Sequence, residues 1–265
     1  MFAEGPTRKL LNALKSPVQV YAEVGEHVLH LNSLIGKSLF LKSTGIAVCK
    51  SCLKKFEDLF RMGCCKKCFF ESPLAGDSIL RPELSTAHLG IEDRNLEHEK
   101  LFQLQPHVVY LAEAGHIKVG VTRLDQINNR WMDQGARRAI VIAQTSNRFE
   151  AGLIEVELKR FYSDKTNWRK MLSNEIDGRD LEKEAIKSQD FFPDHLRKYF
   201  KSNGKEQEIL FDCSFFDKKI SSVILKGKSE IEGELFGLRG QYLLFADGRV
   251  INIRSHEGQI LFWKY

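Results

Sequence analysis

The clearest alternation of apolar and polar positions lies in residues 106–172. The apolar runs VVYLA (108–112) and IKVGV (117–121) flank a short turn and predict a strand pair. The polar stretch RLDQINNRWMDQG predicts a helix that ends at Gly135, and AIVIA (139–143) predicts a third strand. Asn147 is a candidate N-cap of a second helix, with Glu150 as its capping-box partner. The predicted order is β-β-α-β-α.

The flanking regions predict mostly strands. Alternation in residues 1–48 and 207–265, and two apolar runs around Asp247-Gly248, are typical of strands and of a hairpin. We expect these two β-rich regions to pair and to enclose the middle of the chain. Between them we predict a zinc knuckle (49–73), a linker without periodicity (74–105), the α/β core (106–172) and a charged helical segment (173–206). The predicted fold class is α+β.

Composition narrows the class of protein. The chain has 265 residues, of which 43% are hydrophobic and 28% charged. These values are ordinary for a globular domain and exclude a disordered chain, a collagen-like chain and a disulfide-rich miniprotein. No uncharged apolar run approaches the roughly 20 residues that span a bilayer, and residues 1–16 lack an apolar signal region. We therefore predict a cytoplasmic protein without a membrane partner.

Basic residues are concentrated in three segments, although the formal net charge is only +5. The segments are residues 49–70, 117–138 and 159–170. Such patches are typical of a surface that binds a polyanion such as DNA or RNA. Ordinary solvated surfaces remain the alternative.

Two CxxC pairs form the most specific motif in the chain. Cys49 and Cys52 form the first pair, and Cys65 and Cys68 form the second. Each pair offers two thiolates on one tight turn, so the doubled spacing predicts a tetrahedral structural zinc site. Cys64 could compete with Cys65, and reduced structural or redox-active cysteines are the alternative.

The central segment resembles the GIY-YIG nuclease core, in the variant with a KIG-type second motif. The resemblance depends on VVYLAEAGHIKVGVT, on Arg130 in the following helix and on EAGLIEVELK. Tyr110 matches the tyrosine of the first motif, and Lys118 begins the second. Glu155 matches the metal-binding glutamate, and Asn167 an asparagine that some members carry. The resemblance implies a central three-stranded core within a larger α+β chain.

This resemblance implies metal-dependent cleavage of phosphodiesters. Glu155 would hold Mg²⁺ or Mn²⁺, and Arg130 would stabilise charge on the phosphoryl oxygens. Tyr110 would accept a proton from the attacking water or orient it. Lys118 would supply positive charge in place of the second tyrosine, without the proton-handling role of that tyrosine. In the alternative interpretation, Tyr110 belongs to the core and Arg130 pairs with Glu155.

Further residues near these motifs are candidate nucleic-acid contacts. They combine positive charge, hydrogen-bonding groups and an aromatic ring that could stack on a base. The candidates are His107, Arg123, Arg137, Arg138, Asn167, Trp168 and Arg169. A solvated histidine, a turn asparagine and an anchoring tryptophan are the alternatives.

More of the chain resembles a bacterial family known as domain of unknown function 2797. The motifs that carry this resemblance include CKKCF, RPEL, AHLG, QPHVVYLA, RWMDQGA, DKTNWRKML and GLRGQYLLF. In the family pattern, cysteines accompany RPEL and the histidine of AHLG. Here Ser78 and Ser85 stand near those places and His88 is retained, so we expect no second metal site.

Three functional hypotheses follow. The first is a metal-dependent nuclease that acts on DNA or RNA, and the second is a nucleic-acid-binding module on a degenerate nuclease fold. The third is a zinc-stapled scaffold that binds a protein partner. The sequence leaves the oligomeric state open.

Overall fold

The computed structural model describes residues 1–201, 204–213 and 219–265. The parts of the predicted helical segment and of the C-terminal β-rich region that fall on 202–203 and 214–218 lie outside the described residues. The described chain mixes helices with three β-sheets. It forms two compact units, one of Met1–Phe70 with Leu210–Tyr265 and the other of Glu71–Ile209.

The described residues form fifteen strands and six α-helices. The strands are β1 (Phe2–Pro6), β2 (Leu11–Ala13), β3 (Gln19–Val24), β4 (His27–His30), β5 (Ser38–Val48), β6 (Lys55–Phe56), β7 (His107–Glu113), β8 (Ile117–Arg123), β9 (Arg138–Thr145), β10 (Gln207–Glu208), β11 (Ser221–Val223), β12 (Glu230–Arg239), β13 (Tyr242–Phe245), β14 (Arg249–Asn252) and β15 (Gln259–Lys264). The helices are α1 (Lys66–Glu71), α2 (Leu96–Gln103), α3 (Ile127–Asp133), α4 (Arg148–Leu158), α5 (Trp168–Leu172) and α6 (Leu181–Lys187).

The first unit is formed by both ends of the chain. One sheet has the order β1-β15-β5-β12-β13-β14-β11, with β6 paired to β5, and a second has the order β2-β3-β4. Phe2 lies opposite Lys264, so the first and last strands pair directly. The Asp247-Gly248 turn joins β13 to β14, with Leu244 opposite Val250. The expected pairing of the terminal regions and the predicted hairpin are both confirmed.

The second unit contains an antiparallel sheet of the order β10-β9-β7-β8. The elements β7, β8, α3, β9 and α4 follow the order that the sequence pattern predicts. The core of the unit includes Val109, Leu111, Val119, Ile154 and Leu158. The sheet has four strands, whereas three were predicted, because β10 adds a two-residue edge strand along β9. Two residues are too few to show a strand period.

Helix α4 begins at the predicted cap. The Asn147 side chain accepts a hydrogen bond from the backbone N–H of Glu150 at 3.0 Å. The Glu150 carboxylate accepts in return from the N–H of Ser146 at 3.2 Å, one residue before the expected donor. These bonds satisfy backbone donors at the start of the helix.

The linker predicted over 74–105 is instead a packed part of the second unit. It contains short 3₁₀ turns and α2, and the turn Pro82–Leu84 lies against α4. A Cβ on Gly152 would lie 2.3 Å from the backbone nitrogen of Glu83. Arg148 donates two hydrogen bonds to the Ser78 carbonyl at 3.0 and 2.9 Å. These long-range contacts leave no periodic signal in the segment itself.

In its described residues, the predicted helical segment 173–206 contains one regular α-helix. Helix α6 is capped by Asp180, whose side chain accepts from the N–H of Lys183 at 3.0 Å. Two 3₁₀ turns follow, at Ser188–Phe191 and Asp194–Tyr199. Within the described ranges, no helix has both the length and the apolar character needed to cross a membrane.

Candidate functional site

Tyr110 lies in the middle of β7, directly opposite Gly120 of β8. Its side chain is fully buried. A Cβ on Gly120 would lie 2.5 Å from the Tyr110 hydroxyl oxygen. Trp131 of α3 packs edge-on against the Tyr110 ring, with 6.0 Å between the ring centroids. The glycine of the KVG motif is therefore required by the close approach of the tyrosine.

The Tyr110 hydroxyl is linked to Arg130 through Gln134. The side-chain amide of Gln134 lies 3.0 Å from the hydroxyl oxygen of Tyr110. With its oxygen turned towards Arg130, this amide accepts from Nε at 2.8 Å and Nη2 at 3.1 Å. Sequence reasoning missed Gln134. The signal that could have found it is the four-residue spacing from Arg130, which places both side chains on one helix face.

The environment of Tyr110 keeps its hydroxyl protonated at neutral pH. Burial raises the pKa of the hydroxyl, and the Arg130 charge and the hydrogen bonds from Arg130 and Gln134 offset this only in part. A neutral hydroxyl can orient a water molecule or donate a hydrogen bond to an anion.

Lys118 lies on the same face of the sheet as Tyr110, because it stands two residues from Gly120 in β8. Only 4% of the residue is exposed. Its Nζ donates to the hydroxyl of Thr166 at 3.1 Å. Burial, and next the Arg130 charge, lower the pKa of the Lys118 amine to about 8. Thr166 is a further residue at this site for which the sequence carries no signal.

Glu155 in α4 is a buried carboxylate with an incompletely satisfied oxygen. Only 7% of the residue is exposed. Lys159 Nζ lies 3.1 Å from Oε2, but the geometry is not that of a hydrogen bond, and Oε2 has no hydrogen-bond partner within the described part of the chain. Burial raises the pKa of the carboxyl group, against the lowering effect of Lys159. A buried carboxylate suits a hard divalent cation, but Oε2 is the oxygen that pairs with the Lys159 ammonium, so a cation bound at Oε2 would have to replace that lysine.

The predicted catalytic residues are electrostatically coupled. The Glu155 charge acts on the pKa values of Tyr110, Lys118 and Arg130. Among the described contacts, the ion pair of Glu155 is with Lys159 and not with Arg130, so the direct pairing considered as an alternative is absent.

Cations outnumber carboxylates around this cluster. Lys118, Arg130, Lys159 and Arg148 interact with it, and Arg148 acts on the pKa of Glu155. The opposing carboxylates are Glu155, Asp164 and Asp133, the last of which acts on Arg130, so the cations exceed them by one. Such an excess of positive charge favours an anionic ligand.

Two of the predicted nucleic-acid contacts have structural partners. His107 is fully buried, and Nδ1 bonds to the Gln105 carbonyl at 2.7 Å. The ring offers no surface to a polyanion, so this prediction is corrected. Arg138 forms an ion pair with the buried Glu113 carboxylate and another with Glu206 at 3.3 Å. Because 19% of its side chain stays exposed, its contact with nucleic acid stays a prediction.

The other predicted contacts retain exposed polar atoms. Arg123 lies 3.6 Å from Asp125 and remains partly exposed, as does Arg137. The exposed Asn167 caps α5 by accepting from the N–H of Lys170 at 3.3 Å. The exposed Arg169 stacks over the half-buried Trp168, 4.2 Å from the ring centre. These last three residues directly follow Thr166, the partner of Lys118.

The four predicted zinc ligands converge in the first unit. Cys49 and Cys52 follow β5, while Cys65 immediately precedes α1 and Cys68 lies within it. Their sulfur atoms all lie within 4.8 Å of one another. Four clustered thiolates favour a soft or borderline cation, so this cluster could hold a structural metal ion such as zinc.

One thiol of the cluster, that of Cys49, differs from the neighbouring Cys64. Against the lowering effect of its bond to Ser51, burial and the bonds to the other cluster thiols raise the pKa of Cys68. Burial acts to raise the pKa of Cys49, but the backbone N–H groups of Cys52, Cys65 and Ser51 lower it to about 6. Burial raises the pKa of Cys64 to about 11. A thiolate is the ligand form of cysteine, so Cys49 suits a metal and Cys64 suits a packed core position.

Comparison with known proteins covers both units. A family model described as "Protein of unknown function (DUF2797)" matches residues 36–261. That range includes the cysteine cluster and the residues around Tyr110. No curated protein and no solved structure matches the chain. The chain therefore belongs to the DUF2797 family of proteins of unknown function.

Proposed function

We propose that this chain is a nucleic-acid-binding, divalent-metal-dependent phosphodiesterase of the GIY-YIG type, which acts on DNA or RNA. The observation that carries the proposal is the electrostatic coupling of Tyr110, Lys118, Arg130 and Glu155 in one cluster, in which Arg130 is half-buried and the other three are buried. These are the four residues that the resemblance assigns to catalysis. The cationic excess around them supports a phosphate substrate.

Each side chain has a role that follows from its environment. The protonated Tyr110 hydroxyl orients the attacking water, in keeping with its raised pKa. Because its side chain is fully buried here, this role requires the surrounding side chains to move when the substrate binds. Arg130 donates to the phosphoryl oxygens, where its planar fork fits. Lys118 adds positive charge to the phosphate.

Glu155 would hold Mg²⁺ or Mn²⁺ through its buried carboxylate, in place of the ion pair that Oε2 forms with Lys159 at 3.1 Å. When bound, such a cation supplies charge stabilisation at the phosphate and the leaving oxygen. The location we propose is the cytoplasm, since the cysteine cluster needs reduced thiols.

The experiment is a cleavage panel of end-labelled single-stranded, duplex and branched DNA and RNA, with Mg²⁺, Mn²⁺ or EDTA. We expect at least one substrate to be cut with either metal and none with EDTA. Arg130→Lys keeps the charge but loses the fork, and should slow cleavage by about tenfold or more. Cleavage that continues in EDTA contradicts the proposal.

A second candidate is a nucleic-acid-binding module without cleavage. Lys118 in place of the second tyrosine, together with the complete burial of Tyr110, favours it. In that case no substrate is cut, yet binding weakens steeply as salt increases because counterions are released. Absence of both cleavage and salt-dependent binding would leave a protein-binding scaffold.

A further inference from the structure

A groove lies beside the cysteine cluster in the first unit. Its volume is about 680 Å³, within the range of roughly 300–1,000 Å³ that ligand sites occupy. Two aromatic rings, Phe56 and Phe60, line it together with three lysines and one acidic residue, Asp58. Three cysteines of the cluster also line the groove, so a bound zinc ion would take up a small part of its volume. The lysines are Lys54, Lys66 and Lys67. Neither the resemblance nor the proposed catalytic cluster accounts for this groove.

The aromatic rings around the groove are unusually exposed. Phe60 is 46% exposed and Phe70 is 53% exposed. The Phe60 ring centroid lies 5.1 Å from that of Phe69 and 5.8 Å from that of Phe70. Adjacent exposed rings on a soluble protein mark an interaction site. The Arg61 guanidinium carbon lies over the Phe60 ring, 5.7 Å from its centroid, so a base stacked on Phe60 would share the ring with this cation or displace it.

The charge around the groove complements a polyanion. Segment 49–70 carries six basic and two acidic residues. A zinc ion with four thiolates would contribute −2, so the segment keeps a net charge of +2. The lysines along the groove would not stabilise an apolar peptide, whereas they would attract a phosphate backbone.

We propose that this groove binds single-stranded nucleic acid, with a base stacked on Phe60 and the backbone running past Lys54 and Lys66. Bases in a duplex are already stacked on each other, so the rings favour a single strand. The inference rests on the proposed function only in taking nucleic acid as the ligand. It assigns a binding surface separate from the residues that cut.

The test uses the full, zinc-loaded chain and fluorescence anisotropy with labelled 12-nucleotide single strands of DNA and RNA. A hairpin duplex and an acidic, leucine-rich peptide serve as competing probes. Phe60→Ala removes the stacking face, and Lys66→Glu reverses one charge of the groove. The matched controls in the same unit are Phe2→Ala, which removes another exposed ring, and Lys228→Glu, which reverses another exposed charge.

We expect Phe60→Ala to weaken single-strand binding by about tenfold or more. Lys66→Glu should weaken binding and flatten the salt dependence by at least roughly 0.7 in the log–log slope. Phe2→Ala and Lys228→Glu should bind like the wild type. Zinc content is measured for each variant. Lys66→Glu, at an exposed position, decides the outcome if Phe60→Ala loses its metal.

Equal binding by the groove variants and their controls would overturn the proposal, and so would tighter binding of the peptide or the duplex. The same oligonucleotides are also assayed for cleavage. Cleavage by the wild type, with unchanged binding in the groove variants, would refute the proposed binding in the groove but not the proposed phosphodiesterase activity. Loss of binding in those variants, without cleavage by the wild type, would support the groove and refute the phosphodiesterase.

Discussion

At the residue scale, removal of the Tyr110 hydroxyl tests the proposed site with little change in the shape of the side chain. Tyr110→Phe removes a hydroxyl bonded to Gln134 at 3.0 Å. One net hydrogen bond is worth about 1 kcal/mol, so the free energy of unfolding should fall by about that amount. Loss of the oriented water should reduce the cleavage rate by about 100-fold or more.

A matched tyrosine separates stability from chemistry in this experiment. Tyr162 is also buried, and its hydroxyl donates to the Glu184 carboxylate at 2.9 Å. Tyr162→Phe should lose similar stability in urea unfolding while its single-turnover cleavage rate stays unchanged. Equal cleavage rates for the two variants would show that the Tyr110 hydroxyl has no special role.

His107 predicts a specific sensitivity to acid. Burial lowers the pKa of His107 from 6.5 to about 4. The bond to the Gln105 carbonyl acts in the opposite direction, and the Arg148 charge lowers the pKa further. Between these values the unfolded chain binds a proton that the folded chain does not. The free energy of unfolding therefore falls as the pH decreases from 6.5 to 4, by up to about 3 kcal/mol.

The measurement is the melting temperature against pH. His107→Gln removes one titrating group and should make the curve less steep between pH 6.5 and 4. Part of the slope should remain, because burial also lowers the pKa values of His256 and His116. The exposed control His27→Gln should keep the wild-type slope. An unchanged slope in His107→Gln would contradict the burial of a neutral imidazole.

Sequence reasoning could name the candidate site residues that belong to motifs. Tyr110, Lys118, Arg130 and Glu155 each have a place in a known pattern. Thr166 could not be named, since its contact depends on where the chain places a partner 48 residues away. Gln134 carried a local signal, its four-residue spacing from Arg130, although its bond to Tyr110 spans 24 residues. The same reasoning misassigned His107, because burial of a polar residue depends on the tertiary structure.

At the element scale, the two turns that carry the cysteine pairs predict that the stability of the first unit depends on a bound metal ion. Cys52→Ser should lose the bound zinc, and the melting temperature of the first unit should fall, because metal binding contributes to folding. Cys64→Ser should keep about one zinc per chain, since Cys64 lies outside the cluster. Zinc content by atomic emission, read beside thermal melting, distinguishes the two variants.

The result that contradicts this ligand set is loss of zinc in Cys64→Ser with retention in Cys52→Ser. Cys64 is fully buried, so its substitution can lower stability on its own. Zinc stoichiometry is therefore the deciding quantity.

Elements with a period or a turn signal could be predicted, and those without one could not. The hairpin at Asp247-Gly248 and the capped start of α4 carry local signals. The packing of 74–105 does not, because it depends on Gly152 leaving room for the backbone of Glu83. Short 3₁₀ turns hold their positions through such distant contacts rather than through a repeating pattern.

At the scale of the whole molecule, the cysteine cluster and the residues around Tyr110 belong to different units of the chain. The unit made from the two ends carries the cysteine cluster and the aromatic groove. The unit between them carries the cluster around Tyr110 and Glu155. The division could be anticipated because the sequence patterns of both terminal regions predict strands. The function of each unit could not be anticipated in the same way, because it depends on how the fold arranges individual side chains.

The most direct test of the proposed activity is the single-turnover cleavage rate, in Mg²⁺, of two glutamine variants of α4. Glu155→Gln removes the charge of the buried carboxylate that we propose as the metal ligand. Glu157→Gln removes the same charge two residues away, from a carboxylate paired with Arg160 at 2.9 Å. We predict a loss of about 1,000-fold or more for Glu155→Gln and less than about twofold for Glu157→Gln. Equal rates in the two variants, or no cleavage by the wild type, would contradict the account.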